Sequence, residues 1–146
     1  MGYGQGSIIK RYQAEGNRMN ETSTTMTKLY NLRNSIRKLY TSTDTSTLSD
    51  SISRGLHRSF NNFIDSYTIN FSNYSITINC KPLTSTKTKS DIINSVMKKL
   101  RSFVIDNTDI LACLEEDSIA VKSAINSSDA FVCDSYIIGD TISFLL

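Results

Sequence analysis

Apolar and polar positions alternate most strictly in the middle of the chain. Tyr67, Ile69 and Phe71 alternate with Ser66, Thr68 and Asn70, and after Ser72-Asn73 the alternation resumes as Tyr74, Ile76, Ile78 and Cys80. Two period-2 runs joined by two turn-prone residues predict an antiparallel hairpin. From Ser90 the period changes: Ile92, Ile93, Val96, Met97, Leu100, Phe103 and Val104 fall at i, i+3, i+4 spacing, one face of a helix. Laid on the hairpin's apolar side, that face gives the expected seed of a core.

Upstream, Met26, Leu29, Tyr30, Leu32, Ile36, Leu39 and Tyr40 make a helical stripe over residues 25–40, with Thr24 or Thr25 as its cap. Leu48, Ile52, Leu56, Phe60 and Phe63 predict a second helix from about Ser49 to Asn62, weakened by Gly55. The hydroxyl-rich stretch between them, residues 41–50, reads as a flexible linker, with too little apolar surface to offset its ordering entropy. Downstream, Ile110, Leu111, Cys113 and Leu114 form a short apolar knot before Glu115-Glu116-Asp117, read as a solvated turn. Ser118–Ile125, Ala130–Ile138 and Thr141–Leu146 predict three strands, the last two joined by a Gly139-Asp140 turn. The expected fold is α+β: an antiparallel sheet of about five strands with two or three helices packed on one face, forming one domain over 25–146 behind a mobile basic arm at 1–24.

Composition adds a charge asymmetry. The net charge is only +2, but residues 1–60 hold nine of the sixteen Lys and Arg and four of the fourteen Asp and Glu. A basic first part suits an anionic surface. Lys10, Arg11, Lys28, Arg33, Arg37 and Lys38 are the candidate residues for it, and Lys87, Lys89, Lys98, Lys99 and Arg101 form a second basic cluster that suits a phosphate backbone. Three widely spaced cysteines, Cys80, Cys113 and Cys133, carry no C-x-x-C and read as reduced thiols of strand or core. With no signal-peptide pattern and no apolar run long enough to span a bilayer, the expected location is cytoplasmic, at most peripheral to a membrane.

Sharper chemistry finds little footing. His57 is the single histidine and has no metal-ligand spacing around it. No G-x-S-x-G elbow accompanies the many serines, and the glycines at positions 2, 4 and 6 precede no GK[ST]. Gly2 is a poor match to an acylation signal, because Gly6 stands where Ser or Thr is wanted. The expectation is a protein without enzymatic activity, cofactor, metal or small-molecule substrate.

Tyr74–Leu100, a strand, a polar loop and a helix opened by Ser90-Asp91, together with the closing Ala130–Phe144, resembles the matrix proteins of rhabdoviruses in the order of its elements. The resemblance implies an α+β domain that self-associates beneath a membrane and contacts a nucleocapsid. The chain has neither that family's lysine-dense tail nor its proline-rich motif, so no functional residue is carried over. The expected role is a small viral-type assembly protein that associates with itself or another protein and binds an anionic membrane surface or nucleocapsid. The alternatives are an accessory protein holding a host protein in an apolar groove, and a weak nucleic-acid binder.

Overall fold

The computed structural model of the protein describes residues 26–146, and its backbone divides into units of residues 1–32 and 33–146. The arm expected over 1–24, with Lys10, Arg11 and Gly2, lies outside the described residues. Of the first unit, residues 26–32 are helical, with Met26 and Tyr30 exposed.

The second unit is α+β. Its helices are α1 (residues 26–42, of which 33–42 belong to this unit), α2 (Ser46–Phe60), α3 (Thr86–Asp106), α4 (Thr108–Cys113) and α5 (Ser118–Ser127). The strands are β1 (Ile64–Asn70), β2 (Ser75–Cys80), β3 (Asp134–Ile138) and β4 (Thr141–Leu145). They form one antiparallel sheet in the order β1-β2-β4-β3. Its buried face is built from Ile76, Ile78, Ile142 and Phe144, each at most 2% exposed. Ile36 and Leu39 of α1, Ile52 and Leu56 of α2, and Ile92 and Leu100 of α3 are as fully buried.

The sheet has four strands among the described residues rather than about five, and five helices replace the expected two or three. Residues 118–125 account for the lost strand: Val121, Ala124 and Ile125, at i, i+3, i+4, are the buried residues of α5. Asp117 caps that helix by accepting from the Ala120 N–H at 3.0 Å. Alanines at 120 and 124 favour the helix over the strand that Val and Ile had predicted. The knot at 110–114 is likewise mostly helical, as α4. The strand expected from Ala130 begins only at Asp134, because residues 129–131 form a turn of 3-10 helix.

The linker expected over 41–50 is also corrected. Thr41 and Thr43 donate their hydroxyls back to carbonyls of α1, Thr43 to Leu39 at 2.8 Å, and Asp44 accepts from the Ser46 N–H at 2.9 Å. The hydroxyls finish one helix and Asp44 starts the next, while Leu48 packs into the core at 5% exposure. Gly55 sits inside α2, and what a side chain there would meet is the flexible end of Lys99. A Cβ there would stand 2.7 Å from Cε of Lys99, whose stem crosses α2 at that point.

The β1–β2 connection uses four residues, 71–74, rather than Ser72-Asn73 alone. Phe71 turns inward, its ring 5.0 Å from that of Tyr40, and Tyr74 closes the turn with φ +56°. The Gly139 turn forms as expected, with Gly139 at φ +59° where glycine is preferred. Helix α3 starts at Thr86, four residues before the expected Ser90, because Ser85 caps it by accepting from the Thr88 N–H at 3.1 Å.

Lys81-Pro82-Leu83-Thr84 makes a tight turn closed by the Thr84 N–H on the Lys81 carbonyl, with Leu83 at φ +70°. That third position wants glycine or asparagine, and the leucine side chain, 101% exposed, packs on nothing there. Replacing Leu83 with Asn is expected to raise stability by about 0.5–1 kcal/mol, the left-handed strain relieved at no packing cost. Urea denaturation of the two proteins checks it; a loss of stability would show that Leu83 makes contacts the fold depends on.

Candidate functional site

Of the basic residues expected to face an anionic surface, Arg33, Arg37 and Lys38 are engaged in contacts within residues 33–146, and Lys10 and Arg11 lie outside the described residues. Arg33 is 15% exposed and grips Asp134 through both carboxylate oxygens, at 2.6 and 2.9 Å, while also donating to the Ala130 carbonyl at 2.5 Å. Arg37 donates to the Leu146 carbonyl at 2.8 Å and lies 4.5 Å over the Tyr74 ring. Lys38 meets Glu116 at 2.8 Å, and Ser35 donates to the same carboxylate at 2.6 Å. The Arg33 guanidinium holds the Asp134 carboxyl below its usual range, and the hydrogen bonds from Lys38 and Ser35 do the same for Glu116. These side chains tie α1 to the segments before α5 and β3 and to the end of the chain. Lys28 is exposed.

The second cluster is divided as well. Lys87 pairs with Asp91 one turn on, at 3.2 Å, and Arg101 with Asp129 at 3.2 Å. Lys89 is buried, donating to the Gly139 carbonyl at 2.8 Å with Asp140 at 3.6 Å, so it braces the β3–β4 turn. Lys98 and Lys99 line a groove of about 700 Å³ between α2 and α3, with the hydroxyls of Thr47, Ser51, Ser95 and Ser102, the rings and chains of Leu48 and Phe103, and Asp106.

His57 donates to or accepts from the Tyr67 hydroxyl through Nε2 at 3.0 Å, and Ser53, one turn earlier on α2, shares the same hydroxyl. The cluster pins β1 to α2, with the His57 and Tyr67 rings edge to face at 5.7 Å. Of the thiols, Cys80 and Cys133 are buried and Cys113 is exposed. Burial pushes the Cys133 thiol up to about 12, its Sγ 3.2 Å from the Met97 sulfur, so it is inert as a nucleophile.

The feature that the charge pattern does not announce is the sheet itself. Residues directly opposite in register share a face, so Tyr136 stands with Ser143, Ile138 with Thr141 and Asp134 with Leu145, away from Ile142 and Phe144. Ser75, Thr77 and Asn79 continue this outer face on β2, and Ser66, Thr68 and Asn70 on β1. The outer faces of β1 and β2 and the Thr141 and Ser143 positions of β4 are thus hydroxyl and amide surface, whereas β3 carries Tyr136 at 49% and Ile138 at 70% exposure and the end of β4 adds Leu145 at 46%. Ile137, on the opposite side of β3, is also 36% exposed.

Among the described residues β1 and β3 are the two edges, and they differ. A register shift between Ile64 and Ser66 bulges β1 around the exposed Asp65, which is how proteins protect an edge from pairing. β3 runs straight in register and its five residues contain neither lysine nor proline. Its free backbone groups can be identified. Leu146 N–H bonds to Tyr74 O and Cys80 N–H to Asp140 O, so the even-numbered residues of β4 bond toward β2 and the odd-numbered ones toward β3. The register then turns the amides of Asp134, Tyr136 and Ile138 to β4 and leaves those of Ser135 and Ile137 pointing outward. No family model matches the chain, and neither the curated proteins nor the solved structures contain a match.

Proposed function

We propose that this chain is a non-enzymatic assembly protein that works by self-association through the β3 side of its sheet. The carrying observation is the coincidence at one place of an unprotected straight edge and a cluster of exposed apolar side chains, Tyr136, Ile138 and Leu145, on an otherwise polar sheet face. Arg33, Arg37 and Lys38 serve internal contacts, so contact with an anionic membrane or nucleocapsid would fall to Lys10, Arg11 and Lys28. The order of elements that resembles rhabdovirus matrix proteins fits a self-associating α+β domain. A second reading, a weak phosphate-backbone binder, draws on the groove holding Lys98 and Lys99, which form no ion pair among the described residues.

Sedimentation velocity of the full chain over a concentration series, at low and high salt, tests the first reading. The sedimentation coefficient is expected to rise with concentration equally at both salts, since apolar and backbone pairing is not screened, and Ile138→Glu is expected to remove the rise. A concentration-independent monomer, or association that survives Ile138→Glu, contradicts it. Binding to single-stranded nucleic acid that weakens steeply with salt and is lost in Lys98→Ala would favour the second reading.

A further inference from the structure

We infer that the partner at the β3 edge is a second copy of the chain, paired strand to strand and antiparallel about a two-fold axis at Tyr136. The inference rests on the self-association reading and specifies its geometry. Only Ser135 and Ile137 of β3 turn their N–H and C=O groups outward. In an antiparallel pair, residues that exchange hydrogen bonds must both face the partner. If the axis passes through Tyr136, Ser135 of one copy meets Ile137 of the other, and Ile137 meets Ser135. Both outward residues of each copy are then satisfied, by four N–H···O bonds in all. An axis through Ser135 would draw on Cys133, which lies outside the strand and is buried, and one through Ile137 would draw on Gly139, which is in the turn. One register therefore uses the whole free edge and nothing beyond it.

The side chains agree with this register. Ser135 and Ile137 share a face, so a small residue meets a large, partly exposed one across the axis on both sides. Tyr136 meets its own copy at a non-hydrogen-bonded site, where side chains approach most closely and aromatic pairs are favourable. Asp134 lies opposite Ile138 of the other copy. The two Asp134 carboxylates stand at opposite ends of the pairing, about 13 Å apart at the rise of a strand and thus beyond the screening length at physiological salt. The product is an eight-stranded sheet, twice the four strands of one copy. Its outer edges are both β1, bulged at Asp65, so the assembly closes at two copies instead of growing into a fibre.

Cysteine trapping tests the register. In full-length protein carrying Cys113→Ser, Tyr136→Cys places two cysteines at the axis, within the Cα separation a disulfide spans. Ile138→Cys places them about 13 Å apart, out of reach, and Thr68→Cys, on the same sheet face at the far strand, reports chance collision. Mild oxidation is expected to link Tyr136→Cys at least tenfold faster than either control. Ile137→Pro removes one outward N–H without touching the bonds to β4, and is expected to leave a folded monomer by circular dichroism and sedimentation. Equal linking of Tyr136→Cys and Ile138→Cys overturns the register. Linking of Tyr136→Cys no faster than Thr68→Cys, in a wild-type protein that still sediments as a dimer, overturns edge pairing and leaves association through the outer face. A wild-type protein that remains monomeric overturns the self-association reading and this inference with it.

Discussion

Truncating Phe144 to alanine is expected to lower the free energy of unfolding by about 3–5 kcal/mol. Phe144 is 2% exposed on β4, a strand paired on both sides, where it lies opposite Ile76 of β2 and Ser135 of β3. Its ring reaches the buried face of the sheet at a point the backbone cannot vacate, because both neighbouring ladders hold β4 in place. The loss therefore combines the transfer of a phenyl group with a cavity that cannot collapse. Against a total stability of about 5–15 kcal/mol, this removes about a fifth or more of the margin and lowers the melting temperature by roughly 10–18 °C. The next residue provides the contrast. Leu145, 46% exposed on the outer face, is expected to cost less than about 1 kcal/mol as Leu145→Ala. Urea denaturation of both variants measures the difference, and equal losses would mean that the two faces of the sheet have been assigned the wrong way round.

Replacing Arg33 with alanine is expected to cost about 1–3 kcal/mol at neutral pH, with the lower half of that range favoured by the exposure of Asp134 at 55%. One guanidinium serves three acceptors on two segments, both oxygens of Asp134 and the Ala130 carbonyl, and holds the entry to β3 against α1. Arg33→Lys is expected to recover little, because an ammonium cannot span the same acceptors as the planar fork. The pH dependence has a definite sign. Asp134 has its folded pKa depressed, mainly by the hydrogen bond from Arg33, so its contribution is complete above the unfolded value and is lost as pH falls through the folded one. The stability gap between wild type and Arg33→Ala should thus be largest near neutrality and narrow below about pH 4. Urea titrations at neutral and acid pH test this; a gap that stays constant into acid would show that Arg33 acts by packing and not through Asp134.

What the sequence made legible was local. The hairpin and α3 follow from periods of two and of three to four that neighbouring residues alone enforce, and Gly139-Asp140 specified its turn. Residues 118–125 were misread because Val121, Ala124 and Ile125 fit a helix face and a buried strand almost equally, and the Asp117 cap with the alanines at 120 and 124 tips the balance to the helix. The hydroxyls of 41–44 looked like a linker because their partners are helix carbonyls, which composition does not display. Basic side chains read as surface because the groups that claim them are remote: Asp134 lies 101 residues from Arg33 and Glu116 78 residues from Lys38. The β3 edge was hidden for the same reason. Tyr136-Ile137-Ile138 reads as one apolar run, and its position at the rim depends on β4 pairing with β2, a contact across more than sixty residues.

Residue-resolved hydrogen exchange of the full-length protein, dilute and concentrated, tests the central claim at the atoms concerned. Association through β3 predicts that the Ser135 and Ile137 amides exchange rapidly when dilute and gain protection as concentration rises, while Tyr67 and Ile69, which face outward on the bulged β1 edge, do not change. Protection at Ser135 and Ile137 that is independent of concentration, or that rises no more than at Tyr67 and Ile69, would contradict it.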